Sequence, residues 1–387
     1  MAVLSSGHLA TDLAQGSLPA LLPFLVDKFT LSYTMAAALV LAGTFASSII
    51  QPVFGVWSDA RGALWMLPVG VAVAGIGMAA ASVAPAYALV VLCVLVSGLG
   101  VAAYHPEGSK YASFVSGSRR ASGMAFFSVG GNVGFALGPL LTSLVVVTLG
   151  FGLEGGLLLA IPGLVAAAVL FSLRNYLGAF TPSAAASAAR REAPSRPGGL
   201  ALLLCVVGLR SVAHMGLFTF VPLYEIARGH GAAYGIRLLS FFLLAGAVGT
   251  LAGGPLADRF GRRTVLRASF AISTPLILVY ALNDGPLGVI ALILSGATVI
   301  GTFGVSLVMS QEYMPARVGL ASGLSIGMAI GLGGVAALSL GAIADAIDLE
   351  AAVVATAFGP ALAFLVSLVL PPAPRVAPVT VPAAAPV

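Results

Sequence analysis

Gly55-Val56-Trp57-Ser58-Asp59-Ala60-Arg61-Gly62 returns later in the chain as Gly254-Pro255-Leu256-Ala257-Asp258-Arg259-Phe260-Gly261, with the same Gly-x-x-x-Asp-x-x-Gly frame. Two shorter pairs keep nearly the same offset: Ser97-Gly98 with Ser295-Gly296, and Ser122-Gly123 with Ser322-Gly323. Each copy sits between long apolar stretches. A period of about 200 residues in an apolar chain describes two related halves packed about an axis normal to a membrane.

The composition agrees. The chain has 387 residues, of which 59% are hydrophobic and only 8% charged, and its mean hydropathy is +1.07. No soluble domain has that balance, so a multi-pass membrane protein is expected. Apolar segments fall at 6–26, 33–57, 64–83, 86–114, 120–148 and 154–174, then at 200–226, 236–257, 264–282, 286–312, 318–344 and 350–370. Each is near the ~20 residues a helical span requires. The expected architecture is an all-α membrane protein of twelve transmembrane helices in two pseudo-symmetric six-helix bundles, 1–174 and 200–370. A linker over 175–199 is rich in Ala, Ser and Pro, and the Pro/Ala/Val-rich tail over 371–387 is expected to be disordered.

Basic residues orient the chain. With the N-terminus inside, the inner loops hold Arg61, Arg119, Arg120, Arg174, Arg190, Arg191, Arg196, Arg259, Arg262, Arg263, Arg267, Arg317 and Arg375. The outer loops hold Lys28, Arg228 and Arg237. That bias places both termini and the linker in the cytoplasm. It also accounts for the net charge of +5 without nucleic acid. The first apolar stretch contains His8 and Asp12 and has no basic region before it, so no cleaved signal peptide is expected. Cys93 and Cys205 both fall within spans and imply neither a disulfide framework nor a metal site.

Tyr104-His105-Pro106-Glu107-Gly108-Ser109-Lys110 puts ionisable groups and a proline inside span 4. Charge in a span costs several kcal/mol and marks a cavity or a partner. Pro106 has no N–H for the carbonyl of Ala102, so the helix is expected to loosen there. His105 and Glu107 project roughly 200° apart on a straight helix, so only one can face inward unless a kink turns the other. Glu107 shares its face with Tyr104, Lys110 and Tyr111, and a neutralising Glu107–Lys110 pair competes with a proton or substrate role for that carboxyl. His8 and Asp12, four apart, share a face of span 1, and Arg210 and His214 repeat the spacing in span 7. His8 reads equally well as a solvated residue at the inner mouth. Asp12 and Arg210 have a structural alternative as a tie between the halves.

These features resemble the major facilitator superfamily along essentially the whole chain. The most specific match is Gly254-x-x-x-Asp258-Arg259-x-Gly261-Arg262-Arg263, similar to that family's loop between spans 8 and 9. The first copy has Ala60, Ala63 and Leu64 where basic residues are usual. Gln311-Glu312-Tyr313-Met314-Pro315-Ala316-Arg317 is similar to the family's ending of span 10. Gly134-x-x-x-Gly138-Pro139 resembles the antiporter motif, without its trailing glycines. Within the superfamily the chain resembles the fosmidomycin-resistance exporters, through His8-Leu9-x-x-Asp12, Tyr104-His105-Pro106-Glu107 and Ser128-Val129-Gly130-Gly131-Asn132-x-Gly134.

The resemblance implies a proton-coupled efflux antiporter in the cytoplasmic membrane of a bacterium, working by alternating access, with spans 1, 4, 7 and 10 lining the cavity. Asp12, Glu107 and His105 are then candidates for proton coupling. His8, Tyr104, Lys110, Arg210, His214 and Asn132 are candidates for binding a small-molecule substrate, and their donors suit an anionic one. Asp59, Arg61, Asp258, Arg259, Arg262, Glu312 and Arg317 fall at the inner gate. No cofactor or metal is expected, and the chain is expected to act as a monomer in the bilayer. An uptake carrier or facilitator for a sugar, organic acid or siderophore remains open, as does a non-transporting receptor. An intramembrane enzyme is less favoured, because no nucleophile–base pattern or His-Glu-x-x-His motif occurs.

Overall fold

The computed structural model describes residues 1–61, 63–116, 120–180 and 194–372. Within them, twelve helices are long and apolar enough to cross a membrane. In the first half they are Ala2–Phe29, Tyr33–Trp57, Met66–Val83, Tyr87–Ala112, Phe126–Thr148 and Gly152–Ser172 (spans 1 to 6). In the second they are Pro197–Ala227, Ala232–Phe260, Arg262–Leu282, Pro286–Tyr313, Leu320–Ala346 and Leu349–Ser367 (spans 7 to 12). No strand occurs among the described residues. Helices are the expected solution, because hydrocarbon offers no partner for backbone N–H and C=O groups and a helix satisfies them within itself. The twelve expected spans are therefore present, with ends that differ by a few residues.

Among the described residues, an even number of crossings puts Met1 and Pro372 on one face, which also carries most of the arginines. Large apolar side chains such as Phe45, Val56, Phe171, Val248 and Val369 point outward, as lipid contact requires. Span 4 runs through Pro106 as a continuous helix, Tyr87–Val115. Span 10 is interrupted instead, as Pro286–Gly301 and Phe303–Tyr313 with Thr302 between them. A short helix, Arg174–Gly178, runs from the end of the expected sixth span into the expected linker, and span 7 already begins at Pro197. Residues 181–193 of the linker and 373–387 of the tail lie outside the described residues.

Packing differs between the two faces. Toward the face away from the termini, one contiguous apolar core draws on both halves, with Leu21, Leu22 and Leu25 of span 1 joined to Phe218, Phe220 and Val221 of span 7. Toward the arginine-rich face the core splits. Leu4, Tyr104 and Phe127 belong to a cluster of the first half alone, and Leu203, Phe270 and Tyr313 to a cluster of the second half alone. A core that is shared at one end and divided at the other leaves room between the halves at the divided end.

Span 2 packs along span 11 and span 5 along span 8, and these pairs join the halves. At the face away from the termini, Asp345 of span 11 accepts from the backbone N–H of Tyr33 and of Thr34, both at 2.9 Å, and from the Thr34 hydroxyl at 2.5 Å. At mid-depth the Asn132 amide of span 5 donates to the Thr250 hydroxyl of span 8 at 2.9 Å. Among the described residues these are the hydrogen bonds that connect the halves, and none lies on the arginine-rich face.

Candidate functional site

Span 1 places His8 and Asp12 one turn apart, and span 4 brings His105 against them. His8 Nε2 lies 3.2 Å from Asp12 Oδ2, His105 Nε2 lies 3.2 Å from Asp12 Oδ1, and the two Nε2 atoms are 3.1 Å apart. All three residues are buried, Asp12 at 4% exposure. Each imidazole is held by its other nitrogen: His8 Nδ1 lies 2.8 Å from the Phe127 carbonyl and His105 Nδ1 lies 2.9 Å from that of Val101. A carbonyl only accepts, so both Nδ1 atoms carry the hydrogen and both Nε2 atoms face Asp12 as lone pairs when the rings are neutral. Three acceptors therefore converge, a costly arrangement in a dry site unless a positive charge sits among them. Asp12 Oδ1 makes no well-aligned hydrogen bond of its own. His8 also stacks on Phe127, with ring centroids 4.2 Å apart.

The space for this arrangement comes from span 5. A Cβ on Gly131 would lie 2.5 Å from both Asp12 Oδ2 and His8 Nε2, so any larger residue there would push into the pair. Lower in the same span, a Cβ on Gly138 would lie 2.7 Å from the Ser17 amide nitrogen. Small residues of this kind let helices approach closely in a bilayer.

The trio forms one wall of a cavity between the halves. Ser109, Ser128 and Asn132 continue the wall in the first half. The second half contributes His214 along with Met215, Leu243, Ile300, Phe303 and Leu307. The lining is apolar apart from the trio, His214, Asn132 and the two serines. Such a pocket suits a small molecule with an apolar body and few polar groups.

Of the residues expected at the site, His8, Asp12, His105, Asn132 and His214 line the cavity. The others stand behind it. The Tyr104 ring is fully buried, and its hydroxyl donates to the Leu4 carbonyl at 2.5 Å. Glu107 points to the far side of span 4, where its carboxylate pairs with Lys110 at 2.9 Å and accepts from the Ala63 N–H at 3.2 Å. The roughly 200° between positions i and i+2 decides the matter: with His105 inward, Glu107 must face outward. Glu107 thus anchors the loop after span 2. Arg210, at 1% exposure, donates through Nη1 to the Val299 carbonyl at 2.9 Å. Its guanidinium lies 5.6 Å from the centre of the Phe303 ring. Its Nε and Nη2 have no hydrogen-bond partner among the described residues, and no carboxylate is paired with it there.

At the expected gate, Arg262 pairs with Glu312, linking the start of span 9 to the end of span 10. Asp258, Arg259 and Arg317 are exposed. The side chains of Asp59 and Arg61 lie outside the described residues. Among the described residues, two groups present metal-ligating atoms close together: His8, Asp12 and His105 in the cavity, and Glu225, His230 and Asp284 near the opposite face. Asp345 was missed by sequence reasoning. An Asp at the end of a span reads as a solvated loop charge, and its partner N–H groups start a helix 312 residues away.

The family model described as Major Facilitator Superfamily matches residues 4–338 and again 230–386. A Bacillus subtilis (strain 168) protein described as the uncharacterized MFS-type transporter YfnC is 33% identical over 382 residues, covering 93% of this chain and 90% of that protein. The fosmidomycin resistance protein of Escherichia coli (strain K12) is 32% identical over 373 residues, covering 94% of this chain and 91% of that protein. Among solved structures, a bacterial homolog of the human lysosomal transporter Spinster, in an inward-facing and occupied conformation, superimposes with a TM-score of 0.77 at 13% identity, covering 95% of this chain and 96% of that one. The major facilitator transporter FucP in the outward conformation gives 0.66 at 19% identity, covering 95% of this chain and 97% of that one.

Proposed function

This chain belongs to the Major Facilitator Superfamily, and on that premise we propose that it exports a small anionic compound in exchange for protons. The observation that carries this reading is the cavity itself, which sits between two related halves and joins a buried His–Asp–His wall to a wall backed by Arg210. A cargo with an acidic head and a compact apolar body fits those surroundings. Fosmidomycin, named for a relative alike along nearly its whole length, is the first compound to test.

The core shared at one end and divided at the other supports reading this as an inward-facing state, with the arginine-rich face in the cytoplasm. Rocking of the halves would then close the cytoplasmic side and open the other. Asp258, Arg259, Arg262, Glu312 and Arg317, with Asp59 and Arg61, form the gate that meets on closure, so the exposure of Asp258 here belongs to the open gate. Asp12, with His105 and His8, is the group that takes and gives up the proton. Arg210 attracts the anionic head of the cargo from the second half. Glu107 is assigned to holding the loop after span 2.

Counterflow in proteoliposomes tests transport directly. Vesicles loaded with unlabelled fosmidomycin are expected to accumulate the labelled compound transiently, and inhibition by unrelated organic anions would broaden the cargo class. No counterflow with fosmidomycin, but clear counterflow with a neutral sugar, would replace the anion reading with that of a sugar carrier. Absence of counterflow across a panel of anions and sugars would favour a receptor.

A further inference from the structure

We propose that His8, Asp12 and His105 form a binding site for one divalent transition-metal ion, with an open coordination position toward the cavity. Three observations converge on it. First, the ligand atoms are already spaced for a metal. The two Nε2 atoms are 3.1 Å apart, each lies 3.2 Å from a different oxygen of the Asp12 carboxylate, and one ligand atom from each residue lies within 4.8 Å of the other two. Ligands about 2.0–2.1 Å from a zinc-like ion are about 3.3 Å apart in tetrahedral geometry and about 2.9 Å apart at neighbouring octahedral positions. Second, both Nδ1 atoms are committed to backbone carbonyls. That arrangement fixes the tautomer that aims the Nε2 lone pairs at the centre, and it is the outer-shell pattern typical of metal-binding histidine. Third, Asp12 Oδ1 is buried without a well-aligned hydrogen bond, so the set has an acceptor left to fill.

The donor set names the class of ion. Two imidazoles and one carboxylate suit Zn²⁺, Co²⁺ or Ni²⁺, whereas Mg²⁺ and Ca²⁺ prefer oxygen alone. With a single carboxylate, the bound site would carry a net positive charge, and its remaining position faces the cavity that the trio lines. An anionic oxygen of the cargo is the natural fourth ligand. The site would then select compounds that can chelate, at the end of the cavity opposite Arg210. This last step rests on the transport reading above, but binding of the ion itself does not.

The test uses the purified, tag-free full chain in detergent, titrated with Co²⁺ and Zn²⁺ alone. We expect one equivalent of Co²⁺ with visible d–d bands of a four- or five-coordinate site, and a Zn²⁺-dependent rise in Tm. His105→Gln and Asp12→Asn, each checked for a monodisperse elution profile, should weaken binding at least tenfold. His230→Ala, which removes the second cluster with Glu225 and Asp284, should leave it unchanged. No stoichiometric binding by the native chain would overturn the proposal, as would binding that survives both cavity variants or disappears with His230→Ala. Should the cavity variants prove unfolded, native protein without a d–d band or Tm shift would be decisive by itself. Failure of counterflow with metal binding intact would refute the transport reading alone.

Discussion

Asp12→Asn is expected to abolish uphill efflux driven by a pH gradient, to the level of empty vesicles, while downhill exchange of substrate for substrate continues. The argument starts from convergence. Asp12 faces two imidazole nitrogens at 3.2 Å, both prevented from donating in the neutral form by their bonds to Phe127 and Val101. Electrostatic balance there requires a positive charge whenever Asp12 is ionised, and in a proton-coupled cycle run without added metal that charge arrives and leaves as a proton. An asparagine keeps the shape of the cavity and removes the charge that makes the proton necessary. Cargo binding and proton binding then lose their mutual influence, which is the thermodynamic content of coupling. Glu107→Gln supplies the contrast. It removes the charge that pairs with Lys110 and weakens the acceptor for the Ala63 N–H outside the cavity, so it should lower the amount of folded protein while the molecules that do fold still pump uphill. The measurement is efflux from proteoliposomes with and without an imposed pH gradient, normalised to folded protein. Uphill efflux at native rates in Asp12→Asn would show that another group carries the proton, and a coupled Asp12→Asn alongside an uncoupled Glu107→Gln would reverse the two assignments.

The second large effect is expected at Asp345, which should act as the latch of the outer face. Its carboxylate gathers the Tyr33 and Thr34 N–H groups and the Thr34 hydroxyl. These are orphan donors at the start of span 2, of the kind a residue of the same helix usually caps. Here the cap comes from span 11, in the other half, and it also places a negative charge at the positive end of a helix. Opening the outer face must break all of these contacts at once. Removing a cap typically costs about 1 kcal/mol, or about a fivefold change in the ratio of two states. Asp345→Ala is therefore expected to shift the population toward the outward-open form by about that factor. The shift would appear as faster labelling by an impermeant thiol reagent, applied from outside cells, of a cysteine introduced at Leu25 in a background without Cys93 and Cys205. Leu25 is fully buried in the shared core, so its labelling reports opening. Unchanged labelling would mean that the apolar core alone holds this face shut. Labelling only from the cytoplasmic side would reverse the orientation of the whole chain.

Much of this protein was legible before any coordinate. The span count, the two halves and the all-helical architecture follow from hydropathy and from the Gly55 and Gly254 repeats, because a helix in lipid satisfies its own backbone and needs only enough apolar length. Arginine placement gave an orientation for the same reason, being a property of loops taken one at a time. The His8–Asp12 pairing was also readable, since a spacing of four fixes neighbours on any helix. The partners across spans were not. His105 meets His8 across 97 residues, and nothing in span 4, which is apolar on every side above Tyr104, says which way the helix is turned about its axis. Packing sets that rotation: Gly131 leaves room for Asp12 and His8, Tyr104 is tied to Leu4, and His105 is thereby carried inward and Glu107 outward to Lys110 and Ala63. Arg210 followed the same rule, its spacing to His214 visible in the sequence but its place behind Phe303 fixed only by the break in span 10. Hydropathy determines that a helix spans, and contacts between helices determine which of its faces meets which partner.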